Sequence, residues 1–550
     1  MKLNTLFRCL ALLPAFLLLT ACPPTGPDPD PTPTTSSDVS VLLGQSAAIT
    51  GKSLAGAELQ PLLEQQADGT LAFRCTNASF TLPFDLLKDY NAEKPFSRYV
   101  NYPIDRDFDL GSKPTVPYSA GESIDLSGYL PSVINLGSRS TGQTIYFQNL
   151  PEEVIALEDI ELTESSHFSV TLSITKPFFT EGTVIPEFDV DMRSFFNSPE
   201  AENGILHFDA PMTAENGYKV TKSFALDGVP FDPANFDPAK HNLRFDARVG
   251  LSGKVHLEGM KTTRTRLAAA PANMVMNVTV LLLDVACKSV TGRFSYTSKA
   301  ATGSMKLPSG LTALALEPAS AAMQLDLTSN MSVPARAGIG VTSRKSRRVI
   351  GEVTGFATPL TVAGASGSSS TQFQLHQAGD LSPLFARMPD EFIFTATASA
   401  LEDESCTVVL GQENSVELTP TVWIPFAPGS EYKTEVADTL SVPSSVGAAL
   451  KSQSLELQGE VVNTLPFDVE MTATLIDDSG RVLSRDITQT LAAGTAATVK
   501  QTVNPLGTST EAITKMRIVY QLKGTATPRA IKAADKLQAI LSIKIPGSNQ

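Results

Sequence analysis

Apolar and polar residues alternate along most of this chain. Phe168, Val170, Leu172 and Ile174 are separated by Ser169, Thr171 and Ser173, and Phe188, Val190 and Met192 by Asp189 and Asp191. The same spacing returns in Leu243 to Leu251, in Phe467 to Leu475 and in Leu537 to Ile545. A period of two places successive apolar side chains on one face of a strand. That face needs a second layer to cover it, while residues such as Asp468 and Glu470 turn to water. Burial of one face only marks antiparallel sheets rather than parallel ones. The pattern predicts a mainly β chain, with two or three antiparallel β-sandwich-like domains in series.

Turn signals punctuate the runs. Asp477-Asp478-Ser479-Gly480 lies between Leu475 and Val482-Leu483 and predicts a hairpin. Asp227-Gly228, Asp232-Pro233 and Asp237-Pro238 mark loops. Helical signals are few: Pro61 to Ala67, Asp380 to Met388 and Val442 to Lys451. Ala363 to Thr371 has a flexible-linker composition. Val290 to Phe294, Val349 to Val353 and Leu457 to Val461 echo one another around a central glycine, a placement that often marks a bulge.

The first forty residues follow other rules. Lys2 and Arg8 flank a short positive start, and an apolar run extends from Cys9 to Leu19. This is the layout of a secretory signal, too short to span a bilayer, which needs roughly 20 apolar residues. It ends in Leu19-Thr20-Ala21-Cys22, which resembles the lipobox of bacterial lipoproteins. The resemblance implies cleavage between Ala21 and Cys22, acylation of Cys22, and a membrane partner reached through lipid. Proline then recurs from Pro23 to Pro33, which excludes helix and sheet and favours an extended spacer. The expected organisation is a signal peptide at 1–21, a disordered Pro/Thr-rich tether at 22–38, an N-terminal β-rich region at 39–260, a middle β-rich region at 261–430 and a C-terminal β-sandwich at 431–550.

Composition narrows the function. The chain has 550 residues, 42% of them hydrophobic, and a formal charge of −14. Loss of the signal removes two cations and no acid. Such a charge argues against nucleic acid and against broad adhesion to anionic membranes. The one basic cluster, Arg344-Lys345-Ser346-Arg347-Arg348, reads as a solvated loop, with a polyanion-binding patch as the alternative. Beyond Cys9 and Cys22, three cysteines remain: Cys75, Cys287 and Cys406. They could form one bridge and a thiol, or stay as three buried thiols. Met274 to Cys287 is the most apolar later stretch, but it is short, β-branched and interrupted, and reads as a buried strand.

Signals for chemistry are sparse. The five histidines have no Cys or His at ligand spacing, and neither a Gly-x-Ser-x-Gly elbow nor a His-Glu-x-x-His helix is present. No catalysis and no cofactor are expected. Asp105, Asp107 and Asp109 form the best candidate for a metal, because alternate aspartates can converge on Ca²⁺. A helix–loop–helix calcium loop would need its glycine one residue before Gly111 and a glutamate at Val116. An exposed strand edge also explains the alternation and is the preferred reading. For glycans the aromatics are discouraging: one Trp and ten Tyr, with many of the 27 Phe in the apolar phase of strands. Trp423 sits in the apolar run Val422 to Phe426 and is expected to be buried.

Val462 to Val469, leading into Met471 to Gly480, resembles the C-terminal strand–hairpin module of uncharacterised Bacteroidota surface lipoproteins. Ile424 to Gly429 resembles a segment that precedes that module. The resemblance covers about a quarter of the chain. It implies a β-sandwich and an outer-membrane location, and it carries no catalytic residues. Surface display in that phylum tends to follow an acidic signal directly after the lipidated cysteine; here Pro23-Pro24 come first. The expected role is structural or binding, with a glycan-binding protein or a fimbria-like assembly component as the alternatives.

Overall fold

The structure, a computed structural model, describes residues 38–88, 104–117, 122–147, 150–318, 320–360, 367–484, 486–505 and 512–547. The signal, Cys22 and the proline-rich tether lie outside the described residues. The chain is mainly β and every strand pairing is antiparallel, as the alternation predicts.

Residues 104–283 form a first sandwich. One layer runs Lys219–Ala225, His167–Ile174, Asn273–Leu283, Ile104–Ser112. The other is built on Phe179–Ser194 and the 22-residue strand Asn242–Thr263, flanked by Ile205–Phe208 and Val133–Phe147. Aromatic rings meet between the layers: Phe108 packs edge-on against Phe188 at 5.6 Å, and Phe179 against Tyr218 at 5.4 Å. Such pairs add to the gain from area burial. The long strand shifts register between Gly253 and Lys254, opposite Gly137, whose φ of 69° suits glycine.

A second sandwich pairs the sheet around Ala322–Ser329 and Asn414–Pro425 with the sheet Ala301–Lys306, Glu391–Ala400, Ala335–Lys345, Arg348–Leu360. Leu71–Thr76 and Phe80–Phe84, remote in sequence, complete the first of these sheets against Asn414–Pro425. The third sandwich holds Lys433–Ser441 through Lys536–Ile545. Its edge is Val39–Gln45, which pairs with Lys536–Ile545. The first strand of the body therefore lies beside the last, and Asp38 meets Lys544 and the Gly547 N–H.

Sequence order and spatial order part here. Hydrogen bonding crosses the positions 260/261 and 430/431. A three-stranded sheet joins Val154–Leu162, Cys287–Phe294 and Cys406–Val409, and so links the first sandwich to the second. The second meets the third where Leu71 N–H donates to Ile531 O at 2.8 Å and Tyr432 lies edge-on to Phe426 and tilted against Phe467. Among the described residues no hydrogen bond, ion pair or ring contact joins the first sandwich to the third.

Two of the three expected helices give way. Pro61 begins within a 3₁₀ turn, Gln60–Leu62, that runs directly into the strand Leu63–Gln65. Leu63 finds a ladder partner in Phe73, and a seven-residue helix in isolation is too short to compete. Asp380 to Met388 contracts to the turn Ser382–Phe385, with Asp380 accepting from the Ser382 N–H at 2.8 Å. The third forms, as Ser444–Ala449. Met274 to Cys287 is the strand Asn273–Leu283, a turn, and the start of the next strand. The Asp477 hairpin forms, with Asp477 N–H donating to Arg481 O at 3.2 Å and Gly480 at a φ of 83°. Of the linker-like stretch, residues 369–371 begin the strand Ser369–Gln374.

Cys75, Cys287 and Cys406 are all free thiols. Burial pushes Cys75 and Cys406 up to about 11 and Cys287 up to about 12. Thiolate is the reactive form. In the folded chain with Cys22 replaced, a thiol reagent at pH 8 is expected to label these cysteines far more slowly than in denaturant, where all three should react promptly. Rapid native labelling of Cys75 or Cys287 would contradict their burial, while half-buried Cys406 should react first. Trp423 is half-buried rather than buried, and its Nε1 donates to Glu64 Oε2 at 3.4 Å.

Candidate functional site

The outer face of the larger sheet in the first sandwich gathers a dense set of interacting charges. Alternation turns Phe188 and Val190 inward, with 1% and 0% of their surface exposed, so Glu187, Asp189 and Asp191 turn outward. Antiparallel pairing then sets the neighbours. Asp189 lies opposite His207 on one side and Ser252 on the other. Glu187 lies opposite Lys254, and Lys254 opposite Asn135. Together with Gly137, Gly253 and Asp209 they border an open depression of about 470 Å³, which Phe188 and Phe208 also line.

The groups are fixed by one another. His207 Nδ1 is 2.6 Å from Asp189 Oδ1. Lys254 Nζ is 2.7 Å from Glu187 Oε2. His256 Nε2 lies 3.0 Å from Glu187 Oε1, close enough for an ion pair with a protonated ring but off the line of a hydrogen bond. The Lys254 ammonium, by hydrogen bonding first, holds the Glu187 carboxyl below the ordinary glutamate range. Asp191 is lowered in turn, chiefly by hydrogen bonds from the Arg193 side chain. Gly253 has no side chain for a steric reason: a Cβ there would overlap the Glu187 carbonyl oxygen.

The order of groups across the sheet is informative. Hydrolytic relays place a histidine between nucleophile and carboxylate. Here the carboxylate of Asp189 stands between His207 and Ser252. The arrangement suits fixed recognition of a polar ligand by donors and acceptors held in register. Sequence reading missed it, because His207 and His256 are far apart in the chain and pairing across three strands brings them to one face. The available signal was the outward phase of Asp189 and Asp191.

The expected sites fall as follows. Ala21 and Cys22 lie outside the described residues. Asp105, Asp107 and Asp109 occupy the exposed face of the edge strand Ile104–Ser112. Thr279 donates to Asp105 at 2.7 Å, Asn277 to Asp107 at 3.1 Å and the Gly111 N–H to Asp109 at 2.9 Å. Residues two apart on a strand stand about 6.6 Å apart, so the three carboxylates form a ladder. Among the described residues no three His, Cys, Asp or Glu side chains converge as metal ligands. Tyr129 and Tyr146 are exposed at 47% and 42%, near opposite ends of the strand Val133–Phe147 and its leading loop. A stacking platform for sugars needs such rings side by side. The edge strand Val39–Gln45 exposes Val39 and Leu42. No helix of the described residues is long and apolar enough to cross a membrane.

No family model matches this chain, and no curated protein matches it. Among solved structures, a secreted-protein candidate of Parabacteroides distasonis aligns at 13% identity over 48% of this chain and 90% of its own, with a TM-score of 0.28. A capsid structure of infectious bursal disease virus aligns at 9% identity over 76% and 80%, with a TM-score of 0.17. The N-terminal tandem CBM domains of a Paenibacillus barcinonensis protein align at 10% identity over 47% and 86%, with a TM-score of 0.14. Each is a likeness between β-rich chains, too distant to carry any argument about ligand or activity.

Proposed function

We propose that this chain is an envelope lipoprotein with a non-catalytic binding role, held by lipid on Cys22 and offering the outer face of its first sandwich to a polar ligand. One observation carries the binding part: Glu187, Asp189, His207 and Lys254 line a single open depression, each positioned by strand register and by its neighbours, with His256 beside Glu187. The pairing of Val39–Gln45 with Lys536–Ile545 supports the orientation. Residue 38 lies at the third sandwich, so a lipid on Cys22 would hold that sandwich nearest the membrane. The Bacteroidota resemblance supports an outer-membrane location.

Two experiments test the two halves. Cys22→Ala is expected to move the protein from the membrane fraction to the soluble fraction; retention in the membrane would refute lipid anchorage. In a pull-down from the native envelope, run beside a glycan array, Glu187→Gln/Asp189→Asn is expected to lose the partner that the parent chain retains. An unchanged set of captured species would move the binding site elsewhere. Both changes lie on an exposed face, where surface substitutions shift stability by about 0.5 kcal/mol or less.

A further inference from the structure

The basic cluster is not an irregular loop. Ala335–Lys345 and Arg348–Leu360 are paired strands, with Lys345 opposite Arg348, so Ser346 and Arg347 alone make the turn. Their φ angles are 50° and 67°. A two-residue hairpin turn with both residues left-handed favours Asn and Gly. This one carries Ser and Arg instead, and Asp390 holds it closed: it accepts from the Ser346 N–H at 2.7 Å and pairs with Lys345 Nζ at 2.9 Å. These contacts also pull the Asp390 carboxyl below its usual range.

Lys345 is therefore partnered, and Arg347 and Arg348 project at the apex, both exposed. Arg344 lies opposite Glu391 in register, yet its Nε is shut off from solvent with no acceptor among the described residues. The acids that face this end are Asp390, Glu391 and Glu352, the last paired in register with Thr342 two residues before Arg344. Beside the arginines stands Val349, 56% exposed. The chain as a whole carries −14, so this tip is a local reversal of sign.

We propose that the hairpin tip at residues 344–349 seats on an anionic lipid surface, with Arg347 and Arg348 on phosphate-bearing headgroups and Val349 in the shallow apolar layer beneath them. Val349 decides between a lipid and a soluble polyanion: an aliphatic side chain gains by entering the boundary of headgroups and acyl chains and gains nothing from a charged polymer. Two arginines bind weakly on their own. A tether that keeps the tip near the bilayer raises the effective concentration, so a weak contact sets orientation. In this respect alone the inference rests on lipid attachment at Cys22; the affinity of the tip for headgroups does not. The negative remainder of the body repels the same surface and leaves the tip as the favoured point of contact.

The test uses the chain from Pro23 to Gln550, which keeps every described residue and has no lipid, so its result is independent of Cys22. Flotation at physiological ionic strength, where screening confines charge effects to about 8 Å, compares vesicles of phosphatidylcholine with vesicles that also contain phosphatidylglycerol. The parent chain is expected to float with the anionic vesicles only. Arg347→Gln/Arg348→Gln should lower the floated fraction about five-fold, since each arginine near the surface contributes separately, and Val349→Ser should lower it as well. Ser346→Asn/Arg347→Gly supplies the residues this turn favours; it should keep or raise the melting midpoint while reducing flotation, which separates binding from folding. No flotation of the parent chain, or equal flotation of the double glutamine variant, would overturn the proposal. So would full displacement by millimolar inorganic phosphate, or indifference to Val349→Ser, because either would mark a site for soluble anions.

Discussion

Phe188→Ala is expected to destabilise the first sandwich by about 3–5 kcal/mol, the range for removing a fully buried phenylalanine. Phe188 is 1% exposed, packs on Phe108 from the opposite layer and is among the residues that line the candidate site. Its loss removes both the transfer energy and the contacts that hold the layers together, because a close-packed interior collapses only partly around a cavity. Denaturant unfolding followed by far-ultraviolet circular dichroism should show an early transition. Tryptophan fluorescence reports mainly on the second sandwich, where Trp423 sits on Asn414–Pro425, and should shift less. A loss below about 1 kcal/mol, the size of a conservative core swap, would mean that the layers do not close on this ring.

The second large effect concerns a glycine. Gly459→Ala is expected to cost about 1–3 kcal/mol or more, as overpacking does where backbone must yield. A Cβ at Gly459 would overlap the carbonyl oxygen of Ile540 on the neighbouring strand and sit 3.1 Å from Leu541 Cα. Leu457, Val461, Leu541 and Ile543 around it are fully buried, so the strand has little room to retreat. The reading is the denaturant midpoint of the third sandwich, with Gly480→Ala as the comparison. Gly480 stands in open space at a φ of 83°, so its cost is conformational and confined to the turn. Equal midpoints for Gly459→Ala and the parent chain would show that the strand spacing is looser than described.

Gly459 also explains what sequence reading could only notice. Val290 to Phe294, Val349 to Val353 and Leu457 to Val461 echo one another around a glycine, and a bulge is the usual reason. Register does shift beside Gly292 and near Gly351, but not at Gly459. What the three share is close approach: a Cβ at each would overlap a carbonyl oxygen, of Ala156, Pro383 and Ile540 respectively. The neighbours come from three different parts of the chain, so no local pattern could name them.

The candidate site was legible to the same degree. Alternation around Phe188 and Val190 already turned Asp189 outward, and that expectation holds. The partners His207, Ser252 and Lys254 come from strands before and after, chosen by register. The basic cluster was legible as charge. That it forms a two-residue turn pinned by Asp390 required a strand some forty residues later to be placed beside it. The two failed helices are both too short to be stable alone; Leu381, Leu384, Phe385 and Met388 have helical spacing and are all buried, yet only a 3₁₀ turn forms among them.

Alone, the sequence determined the class of secondary structure and which face of each strand is buried, because both depend only on a period of two and on the chemistry of each residue. Tertiary structure decided which strands pair, that the first strand of the body closes the last sandwich, and which charges meet. Those outcomes depend on contacts between residues up to about five hundred positions apart, such as Asp38 with Lys544. Loop-closure entropy grows only slowly with such separations, so chain order places little constraint on them, and complementary packing selects the partner.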